Sequence, residues 1–222
     1  MEYLVALEGI DGSGKGTQAK KLYDRFVAAG KKTSLISFPR YDDTLFGRAI
    51  GQFLNGRFGS LGEVNPFLVS LLYAGDRFES RKFLLDALAA NDVVVLDRYV
   101  PSNIAHQGAK LSGNERREIV EWITTIEHGI YQLPQADLVI LLDLPAVEAR
   151  KLIAKKSART YTDREADLQE SDTTYLEQVR QVYREQAAAH ANWRMIECFD
   201  GRAIRSMDEI GEVIWQAAGL IR

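Results

Sequence analysis

The chain has 222 residues, with 28 basic side chains against 31 acidic ones and a formal net charge of −3. That near-balance excludes a global polycation for nucleic acid or an anionic membrane surface, and the length fits one compact α/β domain. Cys198 is the single cysteine, which excludes an intramolecular disulfide. No apolar run approaches membrane-spanning length and no basic leader opens the chain, so it reads as cytoplasmic.

An apolar run over residues 3–7 leads directly into Gly9-Ile10-Asp11-Gly12-Ser13-Gly14-Lys15-Gly16-Thr17, and a helical pattern follows over 18–29. Strand, glycine-rich loop and helix in that order make a phosphate-binding loop. Glycines admit positive φ and let successive N–H groups face an anion, the helix N-terminus adds partial positive charge, and Lys15 supplies a full one. A structural glycine turn would need neither flank. The next strand pattern, 33–38, stops at Phe38-Pro39-Arg40-Tyr41. Proline ends it and Arg40 offers a planar guanidinium suited to phosphate, although a lone arginine after a strand is commonly a surface ion pair.

Residues 51–62 become loop-prone, and Asn65-Pro66 then opens a helical pattern that runs to about residue 90. Tyr73 and Arg77 stand four apart on one face of it, an aromatic ring with a cation at its edge. A core tyrosine beside a snorkelling arginine is the bland alternative. The strand pattern 92–97 ends in Asp97-Arg98-Tyr99, followed by Ser102, Asn103 and His106. An aspartate closing a central strand beside a phosphate loop can hold magnesium, usually through water, and the adjacent arginine can neutralise a transferring phosphoryl group. Further strands are predicted at 137–143 and 194–199, the last containing Cys198 as a buried thiol. Between them lie a polar stretch at 155–172 and a helix at 171–191 with Tyr175, Val179, Val182, Tyr183 and Gln186 along one side. Continuously apolar strands alternating with helices predict a three-layer α/β/α sandwich around a five-stranded parallel sheet, of P-loop NTPase type. Ligands then belong at the carboxyl ends of the strands.

With these residues in place, the sequence resembles the thymidylate kinases, the dTMP kinase branch of the P-loop nucleoside monophosphate kinases. The likeness runs from Glu2 to about Ala188. It rests on the loop 9–15, Phe38-Pro39-Arg40-Tyr41, Asp76-Arg77, Asp97-Arg98-Tyr99-Val100-Pro101-Ser102-Asn103, and Tyr175-Leu176 through Val179-Arg180 to Tyr183. The resemblance implies ATP as co-substrate on Gly9, Asp11, Gly12, Ser13, Gly14, Lys15, Gly16 and Thr17, with Mg2+ near Asp11, Asp97, Ser102 and Glu170. It implies dTMP against Phe38, Arg40, Tyr41, Leu54, Tyr73, Arg77 and Asn103. There Arg40 and Arg98 bind phosphate, Tyr73 stacks the base, Arg77 donates to a thymine carbonyl and Asp11 reaches the sugar. It implies in-line phosphoryl transfer giving dTDP and ADP, and a homodimer packed through helices.

Three positions depart from the family pattern. Gly16 replaces the usual metal-binding Ser or Thr. Gly12 stands where one branch carries an arginine, so the resemblance moves that catalytic charge to Arg159 or Arg164 in a lid around 155–172, with Asp167 and Glu170 to hold the arginines, sugar or metal. His106 replaces a bulky aromatic residue thought to exclude a ribose 2′-hydroxyl, and is expected to fill that space as a neutral imidazole. The rivals are another monophosphate kinase (dUMP, UMP or CMP as acceptor) and a P-loop switch without a small-molecule acceptor. A deoxynucleoside kinase would need a carboxylate base, for which Glu8 is the candidate.

Overall fold

The computed structural model describes residues 3–60, 62–154 and 172–219. Five strands, β1 (Tyr3–Glu8), β2 (Thr33–Ser37), β3 (Val93–Asp97), β4 (Leu138–Asp143) and β5 (Trp193–Glu197), form one parallel sheet in the order β2-β3-β1-β4-β5. All six residues of β1 and of β4 are buried, as their unbroken apolar sequences require of strands covered on both faces. Each fully buried Val, Leu or Ile in them contributes about 1.5–3 kcal/mol relative to exposure. The register pairs Leu7 with Asp97 and Glu8 with Leu141, so the chemically useful ends of β1 and β3 finish side by side.

Helices α1 (Lys15–Ala28), α2 (Leu45–Leu54), α3 (Pro66–Glu79), α4 (Arg81–Ala90), α5 (Val100–Gly108), α6 (Gly113–Thr124), α7 (Ala146–Ile153), α8 (Thr173–Ala189) and α9 (Met207–Gly219) supply the connections. The expected three-layer α/β/α architecture is present. The single pattern expected from 65 to 90 is two helices. Ser80 takes ψ −2, which turns the chain, and its buried hydroxyl accepts a hydrogen bond from Arg40 Nη1 at 3.3 Å. Asn65 caps α3 as expected, its Oδ1 accepting from Phe67 N–H at 2.8 Å.

The buried residues form two clusters. The larger surrounds the sheet, and a smaller one, Ile50, Phe53, Leu54 and Val69, joins α2 to α3 with Tyr41, Leu72 and Tyr73 packed against it. Gly75 permits that closeness, because a Cβ there would lie 2.6 Å from the Phe46 ring. No helix among the described residues is long and apolar enough to cross a membrane.

Candidate functional site

A cleft of about 920 Å³ opens at the carboxyl ends of the strands, lined by residues 11–17 at one end and by Leu54, Tyr73, Arg77 and Asn103 at the other. The loop is held by local chemistry. Gly12 has φ 82 and Gly14 φ 89, and a Cβ on Gly12 would meet the Ala149 carbonyl oxygen at 2.4 Å, so both conformation and space exclude a side chain there. Helix α1 begins at Lys15, directing its first unpaired N–H groups and the positive end of its dipole to the loop. Lys15 Nζ donates to Ile10 O at 2.9 Å and lies 3.9 Å from Asp11 Oδ1. Burial and then the nearby Arg98 charge lower its pKa to about 8, against the opposing pull of Asp11, Asp97 and Glu8.

Arg98 follows β3 with φ 69, a left-handed conformation that costs a bulky residue on the order of 1–3 kcal/mol unless its surroundings impose it. They do. Its N–H donates to Leu7 O at 3.1 Å, Nη2 pairs with Asp11 Oδ1, Nη1 donates to Ser102 Oγ at 3.0 Å, and His106 Nε2 lies 3.5 Å away. Burial opposes its charge, but Asp11 and the surrounding anionic groups hold its pKa well above the usual value.

Behind Arg98, Glu8 is fully buried and accepts from Tyr99 N–H at 2.7 Å, Ser102 Oγ at 2.6 Å and Tyr183 OH at 2.9 Å. Burial pushes its pKa up. Ser102, whose hydroxyl donates to Glu8 and accepts from Arg98, braces the arginine at the cleft. Glu8, the carboxylate that the rival deoxynucleoside kinase reading would need as a base, is buried under three donors.

His106 is fixed from α8. Tyr175 OH donates to His106 O at 2.9 Å and sits 3.1 Å from Nδ1, so that ring nitrogen carries the proton and Nε2 presents a lone pair toward Arg98. Burial, reinforced by Arg98, depresses its pKa to about 3. The imidazole is neutral and fills space beside the arginine.

Asp97 keeps an open oxygen. Among the described residues its buried Oδ1 has no hydrogen-bond partner, and a Cβ on Gly16 would lie 3.0 Å from Oδ2. A side chain at position 16 would therefore crowd this carboxylate. A carboxylate with an unpartnered oxygen beside a phosphate loop fits a hydrated hard cation. No group of three or more potential metal-binding side chains occurs among the described residues.

At the far end, Arg77 is 2% exposed and held by Glu127, which accepts from Nε and, at 2.7 Å, from Nη2. Asn103 Nδ2 donates to the same carboxylate at 2.9 Å and to Ser70 O at 3.0 Å. Asp76 is wholly buried and accepts from Arg40 N–H and Thr44 Oγ1, fixing the segment that carries β2 into α2.

The structure thus brings Asp11, Gly12, Ser13, Gly14, Lys15, Gly16, Thr17, Phe38, Tyr41, Leu54, Tyr73, Arg77, Asp97, Arg98, Ser102, Asn103 and His106 to one cleft. Gly9 does not line the cleft, but a Cβ there would meet Leu142 O at 2.7 Å, so the loop needs glycine at this position too. Arg40 is also outside the lining. It pairs with Asp43 at 3.0 Å, donates to Ser80 and stacks 4.3 Å over the Phe83 ring. Arg159, Arg164, Asp167 and Glu170 lie outside the described residues. Sequence reasoning missed Glu127, and it missed Ile204, Arg205, Ser206, Met207 and Ile210, which form a cleft wall beside the phosphate loop. Gln18 ties that wall to α1 through a 2.8 Å bond from Nε2 to Met207 O.

Comparison with known proteins gives a consistent result. The family model described as thymidylate kinase matches residues 7–200. A thymidylate kinase of Mycobacterium tuberculosis is 34% identical over 187 residues, covering 83% of this chain and 86% of its own length. A probable thymidylate kinase of Pyrococcus abyssi is 34% identical over 214 residues, covering 96% and 93%. The solved thymidylate kinase structure from Candida albicans shares the fold, with a TM-score of 0.76 at 22% identity over 98% of this chain and 91% of that one.

Proposed function

The chain belongs to the thymidylate kinase family, whose reaction is the ATP- and magnesium-dependent conversion of dTMP to dTDP, and we propose how its cleft performs that transfer. The carrying observation is the cluster of Lys15 and Arg98 around Asp11, buried positive charge between a phosphate loop and an end lined by Leu54, Tyr73, Arg77 and Asn103.

ATP lies with its phosphates on residues 11–17 and Lys15 and its adenine toward the wall of 204–207. The dTMP base lies against Tyr73 and Leu54, with Arg77 and Asn103 at its pairing edge. Arg98 then stands where the two phosphate chains meet. Asp97 would hold Mg2+, which when bound would supply positive charge to the nucleotide phosphates. A dTMP phosphate oxygen is already anionic near neutral pH, so attack on the γ-phosphorus needs alignment and charge dispersal more than a base. Arg98, pinned by Asp11, Ser102 and His106, supplies that charge without reorganisation. Arg159 or Arg164 adds a second cation, with Asp167 and Glu170 as supports. Arg40 joins the acceptor phosphate by exchanging Asp43 for it. His106, smaller than the aromatic ring usual in the family, loosens the preference for deoxyribose.

We read residues 1–222 as one cytoplasmic kinase domain. It pairs as a homodimer, for which the exposed Leu68, Phe78, Trp122 and Ile130 on and beside α3 and α6 supply apolar surface. ADP release, followed with ATP and each of dTMP, dUMP and UMP, is expected to depend on the acceptor and to be fastest with dTMP. ATP loss independent of acceptor would reject the transfer mechanism.

A further inference from the structure

Glu115, Glu118 and Glu121 on α6 are exposed, yet Glu127, six positions further, is fully buried. It falls on the buried side of the helix, four positions after Ile123 and eight after Ile119, within a π-helical turn over Thr125–Ile130 that also buries Ile126. The carboxylate so placed stands behind the cleft wall and touches two residues that line it. It accepts two parallel bonds from Arg77, 50 positions earlier in the chain, and one from Asn103.

These contacts determine which way the Asn103 amide faces. Nδ2 lies between the Glu127 carboxylate and the Ser70 carbonyl oxygen, and both of those groups only accept. Turning the amide over would set oxygen against oxygen at both contacts. Asn103 Oδ1 is therefore fixed as an acceptor, and among the described residues this buried atom receives no hydrogen bond although Asn103 lines the cleft. Arg77, held by Nε and Nη2, lines the same cleft, and its guanidinium can only donate. Burial opposes the guanidinium charge and Glu127 more than restores it, so Arg77 stays a cation.

We propose that Glu127 is a positioning residue that sets the hydrogen-bond polarity of the base subsite, fixing Asn103 as acceptor beside Arg77 as donor and thereby selecting a pyrimidine imide over an aminopyrimidine. An imide edge offers a ring N–H next to a carbonyl oxygen, the complement of that pair. An aminopyrimidine offers a bare ring nitrogen next to an amino group, and meets acceptor with acceptor and donor with donor. Such buried mismatches discriminate far more strongly than a difference in shape. The proposal rests on the reading of this end of the cleft as the dTMP base site.

Glu127→Gln keeps the shape but sets an N–H against Arg77 in either orientation of the amide, and against Asn103 as well in one of them. The dTMP KM is expected to rise about tenfold or more, with ATP KM and kcat at saturating dTMP changed by no more than about twofold. The preference for dTMP over dCMP in kcat/KM is expected to fall by about tenfold or more. Glu127→Asp keeps the buried charge that Arg77 needs and is expected to be intermediate in both readouts. Retention of the full dTMP over dCMP preference in these variants overturns the proposal, as does an equal rise in dTMP and ATP KM, the mark of general loosening. A parent enzyme with no preference for dTMP over dCMP would instead remove the base-site reading on which the proposal stands.

Discussion

The two ends of the cleft are built differently. The phosphate end is assembled from two contiguous segments, 9–17 and 97–106, at the ends of adjacent strands whose register pairs Leu7 with Asp97. The base end takes Arg77 from α3, Asn103 from α5 and Glu127 from the turn after α6, joined by buried side chains. Backbone geometry shapes the loop of the first, with side chains bracing Arg98 beside it, whereas side chains join the second. Charge at the phosphate end should therefore govern the chemical step, whereas polarity at the base end governs which nucleotide is accepted.

The sharpest test of that division is Arg98→Ala. Removing a preorganised cation from a transferring group typically costs about 10²–10³-fold in rate. The expected result is a loss of that size in kcat at saturating dTMP, measured by coupled ADP release, with the dTMP over dCMP preference kept. A variant that keeps kcat and loses only dTMP affinity would make Arg98 a binding group and blur the difference between the ends.

Lys15 gives a test of the phosphate end through pH. Its pKa in the free protein is lowered to about 8 by burial, then by Arg98. Nucleotide phosphates favour the charged form, so binding above that pH must take up a proton. ATP affinity is expected to be flat below pH 8 and to fall toward about tenfold per unit above it. Calorimetric Kd values between pH 7 and 9.5 in buffers of different ionisation heat would show both the slope and the proton uptake. A Kd flat across that range would mean that Lys15 stays charged without the nucleotide.

The same contrast explains what the sequence discloses. The phosphate loop is legible because strand, glycines, lysine and helix are consecutive, and the central strands β1, β3 and β4 are legible because burial on both faces leaves nearly unbroken apolar runs, while the partly exposed edge strands β2 and β5 carry a weaker pattern. Tyr73 and Arg77 are legible as a pair because helical spacing puts them on one face. Glu127 is not, since it reads as one more acid after the solvated Glu115, Glu118 and Glu121, and its partners Arg77 and Asn103 are distant along the chain. The network of Ser102, Glu8 and Tyr183 is hidden for a related reason, because its third member lies far along the chain from the other two. The wall at 204–207 is missed because its side chains reach the cleft only after β5 has placed them there.

Arg40 tests whether an ordinary surface ion pair can separate the two ends. It stands beside the cleft but is held away by Asp43, 60% exposed, by Ser80 and by the Phe83 ring. If Arg40 exchanges Asp43 for the acceptor phosphate, the ion pair is a competitor of dTMP, and removing the competitor should tighten binding. An exposed pair contributes about 0–1 kcal/mol, so the effect is small, at most about fivefold. Asp43→Ala is therefore expected to lower the dTMP KM by about two- to fivefold, leaving ATP KM and the dTMP over dCMP preference unchanged. The gain should disappear at high salt, where the exposed pair is already weakened. A higher dTMP KM in this variant would show instead that Asp43 holds Arg40 in its working place.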